Sequence, residues 1–122
     1  MVKIGLIQHG CPKNLIDSEL MLGILVKNGF EITLDEDACD IALVNTCSFI
    51  HDAEAESVQS ILRLGEKKKQ IIVAGCLAQK HGRELLEVMP EISALIGTGD
   101  FDKVAEAVNN LLSGVNSVFI SE

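Results

Sequence analysis

Tryptophan and tyrosine are absent from this sequence, and four phenylalanines leave aromatics at 3%. A base-stacking platform for single-stranded nucleic acid therefore has nothing to be built from. Cations are scarce as well. Ten Lys and Arg face 18 Asp and Glu, a formal net charge of −8. Gripping a phosphate backbone rests on clustered Lys and Arg, so direct nucleic-acid binding by this chain is not expected. No apolar run approaches the ~18 residues of a membrane span, and the opening Met-Val-Lys-Ile-Gly-Leu-Ile alternates like a strand and lacks a signal-peptide pattern. The cytoplasm is the expected compartment. Paired C-x-x-C spacing is missing too, which removes support for a zinc ribbon.

What remains is an ordinary globular composition. The 122 residues are 48% hydrophobic and 23% charged, which suits one folded domain. Strand and helix patterns alternate along the chain. Strands are expected at 2–8, 30–34, 41–45, 70–74 and 94–96. Helices are expected at 17–28, from Asp52 onward, at 82–89 and from Asp100 onward. Ile41 to Asn45 reads as a strand buried on both faces, as in parallel sheets. Gly29 and Gly114 stand where helices end, and Pro90 stops the third helix. Lys67, Lys68 and Lys69 close the second helix as a solvated end. The pattern predicts an α/β fold of three layers, with a doubly wound, parallel, five-stranded sheet in the flavodoxin-like order 2-1-3-4-5. The expected domain is 1–113. Residues 114–122 read as a tail, or as the start of a linker to a further domain.

The four cysteines divide by position. Cys11 follows the first strand, Cys47 the third and Cys76 the fourth. All three therefore fall at the carboxyl ends of strands, the edge where open α/β sheets bind ligands. In the order 2-1-3-4-5 those strands are neighbours, and at ~4.8 Å per strand the outer two positions are about 10 Å apart. One metal or cluster could collect all three sulfurs. Cys39 precedes the third strand and lies about 25 Å away along it, so it reads as a small apolar side chain. Three thiolates suit an iron–sulfur cluster or zinc. For zinc, His9 or His51 would supply the fourth ligand. An α/β interaction domain with buried thiols is the third reading of the same residues.

Several chemistries lack their residues. A tyrosine phosphatase with its nucleophile at Cys11 needs Arg six residues on, where Asp17 stands. A flavodoxin needs a hydroxyl-rich phosphate loop, which Gly10-Cys11-Pro12-Lys13-Asn14-Leu15 is not. A receiver domain needs Asp at the end of the third strand, where Asn45-Thr46-Cys47 stands.

Three separated motifs resemble one family. They are Gly10-Cys11-Pro12-Lys13-Asn14-Leu15-Ile16-Asp17-Ser18-Glu19, Val44-Asn45-Thr46-Cys47-Ser48-Phe49-Ile50 and Gly75-Cys76-Leu77-Ala78-Gln79, joined by the turn Gly97-Thr98-Gly99-Asp100. In order and spacing they resemble the N-terminal domain of radical-SAM methylthiotransferases, over about residues 1–113. Cys-Pro-Lys-Asn resembles the RimO-like branch, which acts on an aspartate of a small-subunit ribosomal protein. The tRNA-modifying, MiaB-like branch usually has Cys-Gln-Met-Asn there. The resemblance implies that Cys11, Cys47 and Cys76 bind an auxiliary [4Fe-4S] cluster whose open iron carries the sulfur for transfer. It also implies S-adenosylmethionine as cosubstrate, and a second cluster on a CxxxCxxC motif. That motif and a TRAM domain are not found in this sequence, so they are expected in cis in a longer enzyme. The 122 residues alone should not cleave S-adenosylmethionine. Asn14, Ser18, Thr46 and Gln79 are candidates to surround the cluster, Asp17 to begin the first helix, and Lys13 to meet an acidic target.

Overall fold

A computed structural model describes residues 2–8, 12–35, 37–46 and 51–120, with the side chains of 8, 12–15 and 51–57 excepted. Within them, six strands form one sheet in the order β2-β1-β3-β4-β5-β6, every neighbouring pair parallel. The strands are β1 (Lys3–Gln8), β2 (Glu31–Thr33), β3 (Ile41–Thr46), β4 (Gln70–Gly75), β5 (Ile92–Ile96) and β6 (Ser117–Phe119). The helices are α1 (Pro12–Lys27), α2 (His51–Glu66), α3 (Cys76–His81), α4 (Arg83–Val88) and α5 (Val104–Leu112), the last preceded by a 3-10 turn, Phe101–Lys103.

The order 2-1-3-4-5 is as expected. The strand count is not, because Ser117–Phe119 pairs with β5 and extends the sheet. The expected third helix also differs. Two short helices, α3 and α4, meet at Gly82, and the first starts directly after β4. Asp100 was expected to cap the last helix. It makes no side-chain cap hydrogen bond, and the 3-10 turn intervenes.

Alternation along the inner strands explains the three layers. All six β3 residues are buried. Ile41 and Leu43 join a core with Met21 and Leu25 of α1 and Val104 and Val108 of α5. Ala42 and Val44 point the other way, into a core with Ile61 and Leu64 of α2 and Leu77 of α3. A sheet covered on both faces needs such continuous apolar runs.

The amino edge of the sheet is held by charge. Lys67 Nζ lies 2.7 Å from Asp37 Oδ1, and Lys69 Nζ donates to the carbonyls of Asp37 (2.9 Å) and Cys39 (2.8 Å). The contact with Lys67 holds the Asp37 carboxyl below its ordinary range. Two of the three lysines thus clasp the loop before β3, and the run is more than a solvated helix end. Cys39 lies in that loop, buried at 3% exposure, and burial pushes its thiol up. Its side chain fills the space beside Gly5, where an added Cβ would stand 2.8 Å from Cys39 Cβ and 2.9 Å from Sγ. Gly5→Ala should therefore cost about 1–3 kcal/mol by overpacking, read as a lower urea midpoint. A second change, Cys39→Gly, removes both clashing atoms and should restore part of that loss.

Candidate metal centre

Hydrogen-bond register puts three strand ends side by side. Gln8 pairs with Asn45, Asn45 with Ala74, and Thr46 with Gly75. Cys76 is the first residue after β4 and the first of α3, and its side chain is half-buried. Cys11 and Cys47 lie outside the described residues, as do His9 and the side chains of Asn14 and His51. Among the described residues, no group of three His, Cys, Asp or Glu could hold a metal. Cys39 sits at the opposite end of β3, with its neighbour Asp40 bonded to Lys3 at the start of β1. Cys39 is thus set apart from Cys76, as the sequence implied.

The turn from β4 into α3 is unusual. Gly75 has φ +100° and ψ −153°, a region open essentially to glycine alone. A Cβ there would lie 2.6 Å from the Thr46 carbonyl oxygen and 2.9 Å from Asn45 Oδ1. Glycine also has no side chain to cap the helix. The first amides of a helix have no partner within it, and here one comes from a different strand. Thr46 Oγ1 donates to the Ala74 carbonyl (2.7 Å) and accepts the Leu77 N–H (3.1 Å). One buried hydroxyl thus joins β3, β4 and the helix that carries Cys76. Thr46→Val keeps the shape and removes both bonds. It should cost about 1–3 kcal/mol through the stranded Leu77 amide and Ala74 carbonyl, measured by urea unfolding of the metal-free chain.

Asn45 Nδ2 donates to Ser18 Oγ across 2.8 Å, and both side chains are buried. Ser18 therefore ties α1 to the end of β3. Gln79 Oε1 accepts the Thr98 N–H at 3.1 Å, so it joins α3 to the turn after β5. Sequence reasoning did not single out Asn45 or Gly75 for these tasks. The signal was present: a polar Asn-Thr pair ending an otherwise apolar strand, and a glycine directly before the cysteine.

A cavity of about 570 Å³ is lined by residues of α2, α3 and α4, among them Val58, Leu62, Leu77, His81, Leu85 and Met89. His81, the last residue of α3, lines this mainly apolar space.

Comparison with known proteins adds the family. Residues 3–97 match the family described as Uncharacterized protein family UPF0004. The chain belongs to this family. The matched span runs from β1 through the end of β5 and includes all three strand ends. Three of the relatives similar to this UPF0004 chain carry the name "Ribosomal protein uS12 methylthiotransferase RimO". That of Pelotomaculum thermopropionicum is 52% identical, over 93% of this chain and 27% of its own length. That of Trichlorobacter lovleyi is 50% identical, over 85% and 24%. That of Lachnoclostridium phytofermentans is 48% identical, over 93% and 27%. The chain spans about a quarter of the length of these curated relatives. No helix among the described residues is long and apolar enough to cross a membrane.

Proposed function

We propose that this chain is the auxiliary-cluster domain of an enzyme that transfers a methylthio group to an aspartate of ribosomal protein uS12. In this reading Cys11, Cys47 and Cys76 hold a [4Fe-4S] cluster. The relatives' names support the reaction and the substrate. The observation that carries the site is the register of the strand ends. Cys47 is next in sequence to Thr46, Cys76 is next to Gly75, and Thr46 and Gly75 are partners across β3 and β4. Gln8, which ends β1 three residues before Cys11, is partnered with Asn45.

The donor chemistry fits the group. Thiolates are the ligands of iron–sulfur clusters, commonly one per iron. Three protein thiolates leave one of four irons without a protein ligand. When bound, the cluster supplies that iron as a site for a sulfur ligand. The chain's own residues hold the thiols in place. Thr46 fixes the start of α3, Gly75 lets the backbone turn there, and Asn45 with Ser18 fastens the end of β3 to α1. Cys39 is no candidate, because it is buried at the far edge with its thiol pushed toward the neutral form.

S-adenosylmethionine cleavage and its own cluster belong, in this reading, to other parts of a longer enzyme that also contains a TRAM domain. The net charge of −8 suits a protein target better than a phosphate backbone. The cytoplasm suits free thiols.

Metal analysis after anaerobic reconstitution with iron and sulfide tests the assignment. About four irons and four acid-labile sulfides per chain are expected. Stoichiometric zinc in their place would favour a three-Cys, one-His site. No bound metal would leave a plain α/β domain.

A further inference from the structure

We propose that Gln79 is a positioning residue for Cys76, locking the helix that carries this thiol to the turn after β5 and, through it, to the C-terminal strand. The inference rests on the reading of Cys76 as a ligand. Its evidence is separate from the strand register. Gln79 lies three residues after Cys76 on α3, so the two share a helix face. Its carboxamide occupies the place where a side chain on Gly97 would start. A Cβ on Gly97 would overlap Gln79 Oε1 and stand 3.2 Å from Cδ. The same Oε1 accepts the Thr98 N–H.

The turn is held from its other side by β6. The Gly97 N–H donates to the Phe119 carbonyl at 2.8 Å. The Cβ position on Gly97 lies 3.4 Å from Ile120 Cα, and that on Gly82, at the end of α3, lies 3.9 Å from Ile120 Cδ1. Contacts thus run from the C-terminal strand through Gly97 and Thr98 to Gln79 and α3. Thr46 holds the first turn of this six-residue helix from β3, and Gln79 holds it from the β5 side. So short a helix has little stability of its own, so these two fastenings, together with the buried Leu77 and Ala78, set where Cys76 stands. Because β6 runs parallel to the rest, the chain leaves it at the same edge as Cys76.

Alkylation of the metal-free, reduced chain by iodoacetamide tests the lock, with rates resolved at each cysteine by peptide mass spectrometry. Cys39 is the buried internal reference. Gln79→Ala removes the acceptor. Gly97→Ala pushes the carboxamide aside. Each should speed Cys76 modification about fivefold, the scale set by one lost hydrogen bond, with Cys39 unchanged. The double variant should be no faster than Gln79→Ala, since the added methyl then has room. Gln79→Glu keeps the acceptor and should stay at or below the parent rate. After reconstitution, the Gln79→Ala and Gly97→Ala chains should also show shifted paramagnetic resonance g-values. The lock is wrong if both single variants fold and keep Cys76 within twofold of the parent, or if Cys39 accelerates in step with it. If the parent binds no cluster while these rates change as stated, the cluster reading fails and the lock stands. A loaded parent with unchanged rates gives the reverse.

Discussion

Gly75→Ala should destabilise the metal-free chain by about 3 kcal/mol or more, the largest single effect on stability expected from these residues. Two costs add. The backbone at φ +100° and ψ −153° is closed to a residue with a Cβ. The new methyl would also press on the Thr46 carbonyl, 2.6 Å away. Relief requires moving the peptide that begins α3, and that breaks the Thr46–Leu77 bond too. Against a total stability of roughly 5–15 kcal/mol, the loss should be plain in urea unfolding. A change below about 1 kcal/mol would mean that the turn can take another form.

Cys76→Ser should abolish most cluster binding, while Cys39→Ser should leave it close to the parent. A serine oxygen is a hard ligand and replaces a soft thiolate poorly at iron–sulfur centres. Changes merely around a metal centre often cost 10–100-fold in affinity, so the loss of a ligand should cost at least about tenfold. Cys11→Ser and Cys47→Ser should match Cys76→Ser. The contrast with Cys39 comes from topology, since the two ends of β3 are opposite edges of the sheet. Iron and acid-labile sulfide per folded chain give the answer. Iron retained in Cys76→Ser but lost in Cys39→Ser would remove the ligand assignment.

Much of the fold can be read from the sequence because the inner strands carry an unambiguous signal. Ile41 to Val44 and Ile71 to Ala74 are continuous apolar runs, and both are buried on two faces. Strand β6 is harder to see. Its three residues pair on one side only, and Ser-Val-Phe carries no pattern long enough to distinguish a strand from a tail. Helix α3 escaped for a physical reason. Its cap is Thr46, 31 residues upstream of the Leu77 amide that it accepts and on another strand, so no capping side chain in the local sequence marks its start. Helix α1 begins at Pro12, earlier than the expected Asp17. A proline fits the first helical position, where its missing N–H costs nothing. Placing the cysteines after particular strands needed only their order along the chain. The roles of Asn45, Ser18 and Gln79 needed the packing, because each bonds to an element distant in sequence.

The central claim is a cluster at this edge with one iron lacking a protein ligand. The most direct measurement is the electron paramagnetic resonance spectrum of the reduced, anaerobically reconstituted chain, recorded with and without added methanethiol. A reduced [4Fe-4S] signal whose g-values change on addition of the thiol is predicted. A cluster signal that is identical in both samples, or no cluster signal at all, would contradict it.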